Sequence, residues 1–286
     1  MNDLTITILG CGSSGGVPRV GPSGWGACDP ENPRNRRLRC SILVERGVGE
    51  VKTQVLVDTS PDLREQLLRT GVQRLDGIIM THPHADHTHG IDDVRPLVIS
   101  MRRRIAMYMD EATSRDVRSK FGYIFETPPG SSYPPLLNET RIAPGMPVRV
   151  EGPGGPIEAL PFRLGHGEID ALGLRFGNFA YTPDLNGIPD ESLPFLEHLD
   201  LWIVDALRYT PHPSHWSLLE TLGWIARLRP KRAIITNMHS DLDYERLAKE
   251  IPAGVVPAYD GMRIVGGHIV EDLRSELYLG AVIFVP

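Results

Sequence analysis

Six residues, His82-Pro83-His84-Ala85-Asp86-His87, put three imidazoles and a carboxylate into one short stretch. Imidazole nitrogen and carboxylate oxygen are ligands for Zn²⁺ or another first-row divalent ion. Where the chain runs extended, residues two apart face the same side, so His82 and His84 converge on one cation. Asp86 and His87 follow where the chain turns towards a helix, and they point to a neighbouring position. Packing alone gives no reason for this set of side chains. Four further groups stand where apolar runs end: Asp58 in VLVDTSP, His166 in LGHGE, Asp184 in YTPDLN and His239 in IITNMHSD. Together with the histidine cluster they make up the ligand set of a two-metal site. Asp58 by itself would also suit a turn or a helix cap.

The elements that must position these groups are legible as short apolar runs. Residues 75–80 read as a buried strand delivering the chain into the histidine cluster. Residues 4–9, 40–45, 53–57 and 105–109 read as strands, and so do 201–204 and 233–236. A long Gly/Pro/Asn/Arg-rich loop follows the first strand, and loops of that length are usually functional. A helix is expected from Pro61 to Arg69, capped by Thr59 or Ser60 and stopped by Gly71. Another follows Asp86, with Pro96 kinking or interrupting it, and further helices span 110–120, 214–228 and 244–251. Residues 127–138 form a Pro-rich insertion, and 141–182 a series of short strands. This order suggests two sheets back to back with helices outside, one α/β domain over 1–266, and an appendage at 267–286.

The chain has 286 residues, 30 Lys and Arg against 36 Asp and Glu, ten His and three Cys. A net charge of −6 weighs against general nucleic-acid binding, which needs a basic face. Cys11, Cys28 and Cys40 contain no C-x-x-C and fit a reducing compartment rather than a disulfide framework. Residues 1–10 lack the basic and apolar pattern of a signal peptide, and no apolar run approaches the ~20 residues of a membrane span. The expected location is cytoplasmic, without a membrane partner.

With H-x-H-x-D-H followed in order by the separate His, Asp and His motifs, the chain resembles the metallo-β-lactamase-fold hydrolases. More narrowly, LGCGSSGGVPR, VDTSPD, SHWSLLETL and YDGM make it similar to the PhnP-type phosphodiesterases. The resemblance spans residues 4–266 and implies a four-layer αββα sandwich. It also implies that His82, His84 and His166 hold one metal, that Asp86, His87 and His239 hold a second, and that Asp184 bridges them. Asp58 would orient the histidine loop, which matters for ligand basicity. His215, in the SHWSLLETL stretch, matches an active-site histidine outside the metal shell and is expected to contact phosphate or act as general acid.

The implied activity is hydrolysis of a small phosphate diester, cyclic or linear, by attack of a hydroxide shared between two divalent ions, Zn or Mn. A tRNA-processing nuclease and a non-hydrolytic cofactor-biosynthesis protein of the PqqB type are the competing readings. The acidic charge argues against the first, and the complete ligand set against the second. Relatives carry a cysteine cluster holding a structural zinc in the first long loop. Cys28 and Cys40 alone do not fill a tetrahedral site, so that zinc is expected to be absent. Gly10-Cys11-Gly12-Ser13-Ser14-Gly15 satisfies G-x-G-x-x-G, but no helix can follow in GVPRVGPSGWG, so a nucleotide loop is not expected. These glycines are read instead as letting the loop approach the metal site. The ENPRNRRLR run reads as a solvated face, with one arginine left open as an anion contact. The 127–138 insertion, with Phe125 and Tyr133 beside or in it, is left open between lining the pocket, forming a homodimer contact and lying bland on the surface. His89 and His212 read as packing or surface residues, and His198 and His268 as surface residues.

Overall fold

Side chains alternate along the first three strands and so sort themselves between two cores. Along β1 (Leu4–Gly10), Ile6 and Ile8 enter one core and Leu9 the other. In β2 (Ser41–Val48), Ile42 and Val44 oppose Leu43; in β3 (Val51–Val57), Val55 and Val57 oppose Leu56. That period of two makes a sheet buried on both faces. A computed structural model describes residues 3–270 of the chain, and the expected appendage falls outside the described residues from 271 on.

The chain next gives α1 (Leu63–Thr70), β4 (Gly77–Ile79), α2 (Ala85–Thr88), α3 (Arg95–Met101), β5 (Ile105–Met109), α4 (Glu111–Phe121) and β6 (Leu137–Arg141). β7 (Val148–Val150), β8 (Ile157–His166), β9 (Ile169–Phe176), β10 (Phe179–Thr182) and β11 (Leu201–Asp205) follow. The last elements are α5 (Leu218–Leu228), β12 (Ala233–Thr236), α6 (Tyr244–Glu250), β13 (Val255–Pro257), β14 (Arg263–Val265) and β15 (His268–Val270). One sheet has the order β15-β14-β1-β2-β3-β4-β5-β6, the other β13-β12-β11-β10-β9-β8-β7. Their facing sides share a core that includes Phe162, Phe176, Trp202 and Ile234. A second core joins Leu63, Leu67, Val98 and Val117, on helices, to Leu56, Ile78 and Met107 of the first sheet. Leu218 and Ile225 of α5 and Leu247 of α6 pack on the second sheet. This is the four-layer αββα sandwich, a single domain.

Parallel pairing governs where the site lies. β3, β4, β5 and β6 run parallel, as do β10 to β13. Loops at the carboxyl ends of such strands are where open α/β sheets bind ligands.

Several elements differ from their sequence reading. α1 begins at Leu63, and neither Thr59 nor Ser60 caps it. Ser60 Oγ instead receives the Asp62 amide at 3.2 Å, and Thr59 is drawn to the His87 and Thr88 carbonyls. Pro96 neither kinks nor interrupts a long helix: it sits in the first turn of α3, where its missing N–H costs nothing. The helix expected from 214 starts at Leu218. Ser217 caps it, its hydroxyl accepting the Glu220 amide while Glu220 receives the Ser217 amide. Residues 214–216 are therefore loop. Residues 137–138, assigned to the Pro-rich insertion, form the start of β6, and β15 extends the first sheet beyond β14.

Candidate metal centre

β4 ends at Ile79, and the chain then presents His82 and His84 from an extended segment. His82 Nε2 lies 3.1 Å from His84 Nδ1, and His166 Nε2, from the end of β8, lies 3.1 Å from the same atom. Nitrogens held ~2.0–2.1 Å from a tetrahedral ion stand roughly 3.3 Å apart, so the three rings fit one. The far side of His166 is fixed by Nδ1 against the Ser214 carbonyl at 2.7 Å. A carbonyl only accepts, so Nδ1 carries the proton and Nε2 a free lone pair. His82 and His166 are buried, and burial pushes both below the ordinary imidazole range, His166 to about 4. They are neutral, as metal ligands must be.

The second position is built around His87 and Asp184. His87 Nδ1 meets Asp58 Oδ2 at 2.8 Å, while Thr81 donates its amide to Asp58 Oδ1 and its hydroxyl to Oδ2. Asp58, fully buried with φ 63°, thus locks the histidine loop from behind. His87 Nε2 points at Asp184 Oδ1, 3.2 Å away but misaligned, and both atoms lack a hydrogen bond. Two buried lone pairs facing one another need a positive charge between them. Burial alone would lower the His87 pKa, but Asp184, Asp58 and Asp86 outweigh it and hold it well above the usual value. A proton thus takes the place that suits a divalent ion, and the donor set fits the metal. Asp86 Oδ2 lies 3.6 Å from His87 Nε2.

His82, His87 and Asp184 form one tight group of ligand atoms, His82, His84 and His166 another, and His166, Asp184 and His215 a third. Asp184 Oδ2 lies 3.9 Å from His82 Nε2 and 3.8 Å from His166 Nε2, between the two positions. Asp86 and His239 belong to none of these groups. His239 stands just after β12, with Nδ1 3.2 Å from Asp241 Oδ1 and Nε2 against Arg19.

His215 sits in the loop before α5, its ring 4.7 Å from that of His166. Its Nδ1 is 2.9 Å from Asp205 Oδ2, and the Asn237 side-chain amide lies 3.1 Å from the same nitrogen. Burial would lower the His215 pKa, but Asp205 reverses that and raises it to about 9. The ring is a charged acid beside the ligand cluster. Asp205, buried at the end of β11, escapes the sequence reading although LWIVD carries the same apolar-run-to-aspartate signal as VLVD.

Other residues singled out in the sequence contribute no atom to these groups. Gly10 and Gly12 approach the loop's own return strand: a Cβ at Gly10 would lie 2.1 Å from the Arg39 carbonyl. The loop is also laced to Met238, next to His239, through Met238 N to Cys11 O at 2.9 Å. Asp260 of YDGM, unassigned in the sequence, receives the Cys11 and Leu38 amides and so closes this loop. In the ENPRNRRLR run Arg37 is not a solvated face but 1% exposed, donating to the His239 and Leu242 carbonyls. Cys28 lies beside Arg37, whereas Cys40 faces Thr236. Phe125 is buried in the outer core and Tyr133 exposed. The His212 ring lies 5.2 Å from that of His215, tilted to it, and His89 packs edge-on against Phe121.

Comparison with known proteins agrees with this geometry. A family described as "Beta-lactamase superfamily domain" matches residues 53–238. A crystal structure described as a new diphosphatase from the PhnP family is 36% identical with a TM-score of 0.80, covering 91% of this chain and 97% of that one. Zn²⁺-bound PqqB from Methylobacterium extorquens, 16% identical with a TM-score of 0.69 over 91% and 99% of the two chains, shares the fold. A curated protein named octanoyltransferase, from Porphyromonas gingivalis, is 31% identical over 267 residues, 92% of this chain. The chain spans 51% of that relative's length.

Proposed function

The chain belongs to the β-lactamase superfamily, among its PhnP-like members, and from that footing we propose that it is a two-metal phosphodiesterase acting on a small phosphate ester. The observation that carries this reading is the pair of adjoining donor groups, three imidazole nitrogens 3.1 Å from one to the next and the unpartnered His87 Nε2 and Asp184 Oδ1 beside them. Divalent ions held there, Zn²⁺ or Mn²⁺, supply Lewis acidity towards a phosphoryl oxygen and a nucleophile from water.

The remaining chemistry falls to the chain itself. His82, His84 and His166 hold one ion; His87, Asp86 and His239 hold the other, with Asp184 between. Asp58 keeps the His87 ring turned so that Nε2 faces inward. His215 has Nδ1 engaged by Asp205, which leaves Nε2 to deliver its proton to the departing oxygen. His84 is exposed at the mouth, where a small anion enters. The relative's description as a diphosphatase supports substitution at phosphorus, and a P–O–P linkage is within the same chemistry.

Acyl transfer, which the name of the longer curated relative would suggest, needs a reactive nucleophile. Cys11, Cys28 and Cys40 are all buried, and burial raises the pKa of each thiol. None is a reactive thiolate.

Metal analysis coupled to a screen of cyclic and linear diesters tests the proposal. Two ions per chain and turnover of bis-p-nitrophenyl phosphate are expected. His239→Ala should lower that turnover by more than about 100-fold, in line with the loss of a ligand to an ion that would stabilise the attacking and leaving oxygens. Activity within a few-fold of wild type would rule the two-metal reading out.

A further inference from the structure

The nitrogen of His239 that would hold the second ion in this reading is already engaged. Asp241 Oδ1 engages its Nδ1 at 3.2 Å, and a carboxylate accepts, so the free lone pair is on Nε2. Arg19 Nη1 donates to that lone pair at 2.5 Å. An arginine N–H and a metal ion cannot share one lone pair. Binding at the second position therefore requires the guanidinium to move off, with its charge left beside the ion.

Arg19 is placed there by the loop. Its amide is tied to the Gly24 carbonyl at 2.7 Å, and its side chain lies along Gly15. A Cβ at Gly15 would come within 2.5 Å of Arg19 Nε and 2.8 Å of Nη2, so the absence of a side chain there makes the channel for the guanidinium. Among the described residues no carboxylate forms an ion pair with Arg19, although Asp184 and Asp86 lie within the same site. The loop before α5 lies beside the same histidine: the His239 amide donates to the Leu207 carbonyl at 2.8 Å. In that loop the His212 ring lies 5.2 Å from that of His215, and Arg208 is fastened to the Thr210 and Pro211 carbonyls. A half-buried guanidinium without a carboxylate, set against a histidine of the site, is suited to an anion that arrives from outside.

We propose that Arg19 is a two-position substrate-binding residue: it caps the His239 nitrogen while the second ion is absent and, once displaced, grips non-bridging oxygens of the phosphate substrate. This rests on the two-metal reading above. A planar guanidinium can donate two parallel N–H groups to two phosphate oxygens, which a lysine ammonium cannot reproduce. The cap and the grip predict opposite responses to one substitution.

Calorimetric titration of Zn²⁺ into the metal-free protein, followed by inorganic phosphate into the loaded protein, separates the two roles. In Arg19→Met the second ion should bind about ten-fold more tightly, since nothing competes for His239. Phosphate should bind about ten-fold more weakly, the scale of a single charge-assisted hydrogen bond. Arg19→Lys, which keeps the charge and is the milder change for the loop, should recover only part of the phosphate affinity. In turnover, KM should rise in both variants more than kcat falls. If Arg19→Met changes neither the second-ion nor the phosphate affinity, Arg19 is a packing residue of the loop and the inference is wrong, while the two-metal reading stands. Should the wild-type protein itself take up fewer than two ions or leave phosphate unbound, that reading fails and the inference falls with it.

Discussion

His215 stands outside the ligand set but within its field, and its role is decided by what it does for a poor leaving group. A proton delivered in the transition state contributes ~10²–10⁴-fold when the departing oxygen is basic and little when it is not. His215→Ala should therefore slow an alkyl phosphate diester by about 100-fold or more and bis-p-nitrophenyl phosphate by only a few-fold, measured as kcat with both substrates. Equal slowing of the two would make it a phosphate-binding residue instead. His82, His84, His87, His166 and Asp184, which the fold brings together, are legible in the sequence because few side chains suit a divalent ion. Asp205 and Arg19 are not, because an aspartate ending a strand or an arginine in a polar loop is common for reasons unrelated to chemistry. Their roles come from partners ten residues away in one case and 220 in the other.

Elements show the same division. Apolar runs and their punctuation locate every strand that carries a ligand, because burial on both faces leaves a plain pattern. The start of α5 is harder to read, since Ser214 and Ser217 both offer a cap and only Ser217 has glutamate three positions on to complete the box. Ser217→Ala should cost about 1 kcal/mol. That corresponds to a few degrees in the thermal midpoint, roughly 2–4 °C for a domain of this class, with metal content unchanged. A larger loss with metal released would mean that the cap also holds the His215 loop. The first loop is closed by Asp260, whose buried carboxyl is pushed up to about 7. Burial is the main cause, and the two amides it receives only partly offset it. The native state thus holds a proton that the unfolded chain, with an ordinary aspartate, has given up. Stability is full below about pH 4 in this respect and declines as pH rises towards 7. Asp260→Asn should flatten that slope in denaturant melts between pH 4 and 7; an unaltered slope would assign it to other groups.

At the scale of the whole molecule, the ligands are divided between the two sheets. Of the proposed ligands, His82, His84, Asp86 and His87 follow a strand of the first, while His166 ends a strand of the second and Asp184 and His239 follow others. A ligand that binds only the folded chain stabilises it by mass action, about 4 kcal/mol when present at a thousand times its dissociation constant. Chelation should accordingly lower the thermal midpoint, readdition of Zn²⁺ or Mn²⁺ should restore it, and Asp184→Asn should shrink the difference. A midpoint indifferent to chelator would contradict ion binding at this seam. Topology places a further condition on how the protein is made. A chain emerging from the ribosome offers His82 to His87 long before His166, Asp184 or His239 exist to join them. Until β12 is in place, the early histidines are an incomplete claw, able to hold an ion only loosely. Full capture waits for the second half of the chain, so a truncated or half-synthesised copy releases its metal rather than sequestering it.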